Sequence, residues 1–340
     1  MSGRHSLSSS QLDALTWEDG SLFHDVRGRA VECPTPLAPL ADSHGHLTVF
    51  REHQAANVLA RAALAGVRLL VVPVDPADDV RDVPRFLEWF EATVSEAREL
   101  LDRYSSIGLV PPEFPDKPGL PPLLDNVWVV AGVHPYGAVD YLGDPSVGER
   151  LSLLLDSPRC VGVGEIGVDL GPYSNVPLDA QERALRDQLR VARERDLPVE
   201  LHVRDARDDE AASAHALVER VLREEGVPRR GCDLHCFTQG PEVMAPFVEL
   251  GSHVAFGGAE TFRSSDDVRQ AAVECPERLI LSETDSPYMA PVPLRGEECE
   301  EAMVAFSAAS LAQVREDAGI ASRQRTYDAL WDNARALFSL

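Results

Sequence analysis

The chain has 340 residues, 44% of them hydrophobic and 26% charged, with a formal charge of −24 and a pI near 4.7. This composition excludes a disordered chain, and no apolar run reaches the roughly 18 residues of a membrane span. The acid excess opposes wrapping a long nucleic acid, whose affinity comes from Lys and Arg meeting phosphates, so any such substrate has to be gripped locally.

The leader, residues 1–39, is polar and ends in the proline-rich PTPLAPL; it lacks the apolar stretch of a secretory signal. Apolar, β-branched runs then predict strands near 40–47, 67–74, 127–133, 161–169, 198–203, 231–237, 252–257 and 278–283. Helical periodicity lies between them at 51–66, 178–196, 210–226 and 241–251, with glycines at 66, 226 and 251 where a left-handed cap is expected. Strands alternating with helices imply parallel pairing, and runs apolar on both faces imply burial. Eight such units predict a (β/α)8 TIM barrel; an open doubly wound sheet is the alternative. The barrel domain is expected to span 40–340, with 1–39 as an N-terminal extension. A long insertion, about 75–126, separates the second and third strands. It holds an acidic helix near 82–104 and the proline-dense PPEFPDKPGLPP at 111–122. Loops after barrel strands line the catalytic face, so the insertion either decorates the surface or shapes the substrate pocket. Segments 297–319 and 321–338 read as two helices that close the barrel.

Chemistry concentrates where these strands end. His44 and His46 are two apart, so on a strand both point to one side. Glu165 is the one charge between Val161 and Val168; His202 and His235 each close an apolar run, and Asp285 ends RLILSETD. Parallel strands in a barrel bring these downstream ends to one face, and a cation is the natural partner for several buried imidazoles and carboxylates. The six residues therefore form a candidate metal site, with Asp285 also a candidate proton acceptor and Glu283 placed to support it. Arg204 could meet a phosphate or carboxylate bidentately, or pair with a neighbouring acid. His134, at the end of the third strand, is expected to contact substrate. Cys232 and Cys236 bracket His235, but CxxxC alone is a weak metal signal and both are expected in the core. Six cysteines without framework spacing suggest reduced thiols and a cytoplasmic setting.

The motifs DSHGHL, GVHPY, VGEIGVD, LPVELHVRDA, LHCFTQG, VAFGG and LSETDSPYMAPVP, from about Asp42 to Arg295, resemble in kind and order those of the TatD-like metal-dependent hydrolases, the TatD DNase branch of the amidohydrolase-type barrels. The resemblance implies a TIM barrel with two divalent ions (Zn, Mn, Mg, Fe or Co) and phosphodiesterase activity on DNA, often as a 3′-to-5′ exonuclease. Carried onto this chain, it implies that His44, His46 and Asp285 hold one ion, His202 and His235 the other, with Glu165 bridging. Three stretches depart from the pattern. Gly45 stands between the two histidines, GPYSNVP follows IGVDL in place of a tyrosine-rich continuation, and LRGEECEE replaces a basic, asparagine-bearing ending of the RGKRNEP kind. The expected substrate is DNA ends or short single-stranded nucleic acid; the alternative is an ester, amide or lactone of a small metabolite, and a non-catalytic scaffold is weakest because all six ligands are present. No membrane and no obligate protein partner are inferred.

Overall fold

The computed structural model describes residues 15–340. After a short antiparallel ribbon, β1 (Phe23–His24) and β2 (Ala30–Val31), come eight strands in one sheet: β3 (Leu40–Asp42), β4 (Val67–Val74), β5 (Val127–Ala131), β6 (Cys160–Asp169), β7 (Val199–Arg204), β8 (Cys232–Leu234), β9 (His253–Phe256) and β10 (Ile280–Ser282). All neighbours pair in parallel, in chain order. The sheet closes on itself through loops beyond β3 and β10. Ser43 N–H donates to Ser282 O (3.1 Å), Asp285 N–H to His44 O (2.9 Å) and His46 N–H to Ser286 O (3.0 Å). This is the (β/α)8 barrel that the alternation predicts.

β4, VRLLVVPV, is buried along nearly its whole length, as a strand with side chains packed on both faces requires. The interior face of the barrel's lower half is apolar. Ala41, Leu69, Val71, Val130, Ala255 and Leu281 cluster there with Trp331, Ala334, Leu337 and Phe338 of the last helix, Arg323–Phe338. That helix plugs the bottom, the role expected of the C-terminal pair.

Outer helices run at Ala55–Ala65, Leu178–Arg195, Ser213–Glu225 and Pro241–Glu249. Gly66, Gly226 and Gly251 take φ of 99°, 84° and 81° beside the ends of three of them. Three further helices, Ala138–Gly143, Pro145–Leu155 and Asp266–Glu274, fill gaps that periodicity left unassigned.

The insertion splits between the two ends of the barrel. Its opening turn, Asp75 to Arg81, lines the cavity at the top. Its helix, Val83–Ser105, lies along the side and buries Phe86, Phe90, Val94, Ala97 and Leu100. The proline-dense stretch sits at the bottom, where Pro112 O accepts from Arg68 and Phe114 packs under that guanidinium, 5.7 Å from its ring centre. The leader within the described residues is tied to the barrel: Leu15 and Phe23 are buried in the main core. Residues 1–14 of the expected extension lie outside the described residues. Among the described residues, no helix is long and apolar enough to cross a membrane.

Candidate metal centre

The strand ends converge on a cavity of about 850 Å3 whose lining includes His46, His134, Glu165, His202, His235 and Asp285. His44, itself fully buried, lies just beneath. His44 Nε2 and His46 Nε2 are 3.3 Å apart, and each is 3.8 Å from Asp285 Oδ1. Glu165 sits between the two halves of the ring. Its Oε1 is 2.7 Å from His202 Nδ1 and 2.9 Å from His235 Nε2, while Oε2 is 3.9 Å from His44 Nε2.

Three donor groups result: His44 with His46 and Asp285; His44 with Glu165 and His235; and Glu165 with His134 and His202. Five of the six residues singled out as ligands from their strand ends also line the cavity, and all six belong to these groups. His134 joins them. It was expected to touch substrate, yet its Nε2 is 3.7 Å from Glu165 Oε1 and its ring packs edge-on to His202. Arg204 is exposed at the cavity wall with its guanidinium over the Tyr173 ring, 5.8 Å from the centre. The neighbouring acid, Asp205, turns away into the fold. It accepts from Ala214 N–H (2.8 Å) and meets His215 Nδ1 at 2.6 Å, so it caps the helix Ser213–Glu225. Cys232 is in the core, but Cys236 corrects the expectation for it: the turn after β8 brings it to the cavity wall with φ 46°.

Close backbone approach makes this geometry possible at two glycines. At Gly167, a Cβ would lie 1.8 Å from His202 O, so β6 and β7 could not bring Glu165 to His202 with any larger residue. At Gly45, a Cβ would lie 2.9 Å from Glu301 Cγ and 3.2 Å from Asp42 Oδ2. Two of the departures from the family pattern are thus one packing event: Glu301 of LRGEECEE occupies the space that a side chain between the histidines would need.

Beneath the donors lies a layer of buried acids. Glu200, Asp233 and Glu283 each precede His202, His235 and Asp285 by two residues, and all three are at most 1% exposed. Glu200 meets His44 Nδ1, and Glu283 accepts from Cys236 N–H, which fixes the turn carrying His235. Higher up, Asp169 Oδ2 is 3.1 Å from His202 Nε2 and accepts from Tyr136 Oη (3.0 Å). Sequence reading marked Glu283 but passed over Glu200, Asp233 and Asp169. The signal was present: a lone charge two residues before each histidine, on the same side of an apolar strand.

Electrostatics favours ligand-ready imidazoles. Burial pushes His44 and His46 down to about 4, and His134 and His235 to about 3, so all four are neutral at pH 7. Burial also pulls His202 down, but its bonds to Asp169 and Glu165 outweigh that and lift it to about 9. For Glu165 burial is likewise overcome, by His235 and His134, and its carboxyl stays well below the usual range. Burial, with Glu165 nearby, raises Asp285 to about 7. The ion pairs of Glu165 and Asp285 among the described residues are all with histidines. Four neutral imidazoles, with carboxylates that have no Arg or Lys partner, fit a divalent cation, which His202 could join on giving up its proton.

The same shifts set a pH dependence of stability. Between pH 6.5 and 9 the chelated native state binds more protons than the unfolded chain. Burial raises Asp42 to about 8 and Asp75 and Asp285 to about 7, and His202 holds its proton to about 9. Stability therefore falls as pH rises through that window. Added divalent cation deprotonates the ligands in advance and flattens the slope. Thermal unfolding in chelator and in metal across pH 6.5–9 checks this; a chelated protein that gains stability toward pH 9 contradicts it.

Comparison with known proteins follows the same lines. The family model described as TatD related DNase matches residues 41–339. The uncharacterized metal-dependent hydrolase YcfH of Escherichia coli strain K12 is 39% identical over 180 residues, 53% of this chain and 63% of that protein. The 3′-5′ ssDNA/RNA exonuclease TatD of Klebsiella pneumoniae is 32% identical over 169 residues, 49% of this chain and 60% of that one. Both matches thus span less than two thirds of the relative's own length. The crystal structure of YJJV, a TatD homolog from Escherichia coli K12, superposes with a TM-score of 0.67 at 24% identity, covering 89% of this chain and 99% of the other, which shows the shared fold.

Proposed function

The chain belongs to the TatD-related DNase family, and from that premise we propose that it is a divalent-metal-dependent phosphodiesterase that removes nucleotides from the 3′ ends of single-stranded nucleic acid. The observation that carries this reading is the position of Glu165, one carboxylate shared by two of the three donor groups. In this reading His44, His46 and Asp285 would hold one cation and His202 and His235 a second, with the Glu165 carboxylate available to both. When bound, such cations supply electrophilic anchoring for substrate oxygens and make hydroxide available near neutral pH. Asp285 takes up the proton released by the attacking water and returns it to the leaving oxygen. Arg204, held over Tyr173, meets the substrate anion, and His134 orients the scissile group or lends its Nε2 to the Glu165 side of the centre. We assign the hydrolase barrel to 40–340, with 1–39 as an extension and about 75–126 as an insertion.

The cavity wall favours ends and short strands over duplex. Asp75, Asp78, Asp79, Asp140 and Asp169 line it against Arg81 and Arg204. The same acidic wall supports the second reading, hydrolysis of a small-metabolite ester, amide or lactone. One experiment separates them. Protein purified without chelator is assayed with each single metal on 3′- and 5′-labelled single-stranded DNA and on a panel of small esters and lactones. The expected result is metal-dependent release of mononucleotides from the 3′ end, with a log–log salt slope of about −0.7 to −2, as one to three phosphate contacts on a single strand give. Turnover confined to the small esters overturns the nuclease reading.

A further inference from the structure

His44, like Glu165, is common to two of the three groups, and its usefulness depends on which nitrogen carries the proton. We infer that Glu200 is a positioning residue for the metal centre: its carboxylate accepts the Nδ1 proton of His44 and so commits Nε2, as a lone pair, to the cation. The inference rests on the metal-centre reading above.

The two residues are 156 positions apart and both at most 1% exposed, yet Glu200 Oε1 is in short contact with His44 Nδ1. The opposite nitrogen faces the donors, 3.3 Å from His46 Nε2, 3.8 Å from Asp285 Oδ1 and 3.9 Å from Glu165 Oε2. The ring plane is fixed as well, stacked on His235 with centroids 4.0 Å apart and planes 12° from parallel. The chain makes room for this carboxylate: at Gly164, a Cβ would lie 2.6 Å from Glu200 Cβ. Stability alone does not account for an acid there. Glu200 Oε2 has no hydrogen-bond partner among the described residues, and that unsatisfied buried oxygen offsets much of what the bond to His44 contributes. A carboxylate on the rear nitrogen of a ligating histidine fixes its tautomer and raises its basicity, typically by 10- to 100-fold in metal affinity.

The test is Zn2+ affinity of the folded protein by chelator competition, with the melting temperature in chelator alongside, for wild type, Glu200→Leu and Glu200→Gln. Glu200→Leu leaves the buried His44 Nδ1–H without its acceptor and is expected to melt lower in chelator, and its folded fraction to bind Zn2+ about 10- to 100-fold more weakly. Glu200→Gln falls between, because its amide oxygen still accepts the bond without the charge. A merely structural Glu200 lowers the melting temperature in chelator but leaves the Zn2+ affinity of the folded fraction unchanged, which overturns the inference. If Glu200→Leu does not fold, Glu200→Gln with wild-type affinity overturns it alone. A wild type that binds no divalent cation instead overturns the metal-centre reading.

Discussion

Asp285→Asn lowers kcat by about 10²–10⁴-fold, the range of a general acid–base contribution, while the protein still folds and retains metal. The position itself is held by main chain: Asp285 N–H donates to His44 O (2.9 Å) and Asp285 O accepts from Tyr288 N–H (2.8 Å). Its φ of 53° is left-handed, a conformation that Asn tolerates as well as Asp. The amide keeps one ligand oxygen at the place where Oδ1 lies 3.8 Å from both His44 and His46. What it loses is the capacity to take a proton and give it back. Arg204→Ala acts differently, raising KM because its contact exists in both ground and transition states. Steady-state kinetics with metal content measured on the same samples decide the matter. A near-normal kcat with full metal in Asp285→Asn would defeat the assigned role.

The second large effect is on stability. Arg61 is buried, and its guanidinium binds both oxygens of Glu300, with Nε to Oε2 at 2.7 Å. It also donates to Leu15 O (2.7 Å) and Leu22 O, and lies over Phe23 at 5.5 Å. One side chain thereby joins the leader, the first barrel helix and the segment before the helix Val304–Asp317. Arg61→Met leaves Glu300 buried without its partner and is expected to destabilise the fold by about 3–5 kcal/mol in denaturant unfolding. The double variant Arg61→Met, Glu300→Leu recovers much of that, since no charge remains stranded. The pH signature follows from Glu300. Burial alone would raise it, but Arg61 outweighs that and holds it below the usual range. Its contribution is present above the unfolded value near 4 and is lost as pH falls through the lower folded one. A single-variant loss under about 1 kcal/mol would show that the pair is not the anchor described.

Much of this was legible because the barrel repeats one simple rule. All eight barrel strands could be read from apolar runs, and their downstream ends named six of the seven residues that the fold gathers into groups able to hold a metal. What escaped depends on distant partners or on short elements. The helix predicted from 51 starts at Ala55, because Glu298 takes the N–H groups of Arg51 and Glu52 into a bend (2.9 and 2.8 Å). Ala138–Gly143 has too few residues to show a period. Pro145–Leu155 did carry a signal: Asp144 caps Ser146 N–H at 2.9 Å, with proline at the first helical position. Glu200 and Asp233 had the right spacing but no local hint of a partner. The packing of Glu301 behind Gly45, and the placement of the prolines beneath Arg68, join residues too far apart for any window to see.

The barrel seam has a consequence for how the ring opens. His44 and His46 follow the first strand of the ring and Asp285 follows the last, and the bonds that close the ring run through those same residues. A cation held by all three is therefore a rivet across the seam. Unzipping β3 from β10 must expel it, whereas fraying elsewhere need not. At a free-metal concentration 100 times the dissociation constant, such a rivet raises the free energy of that opening by about 2.7 kcal/mol. If these three residues hold a cation as proposed, the first and last turns of the barrel, the pair most separated in sequence, are the pair that it would most directly keep shut, and a nascent chain would have no complete rivet hole until Asp285 has docked.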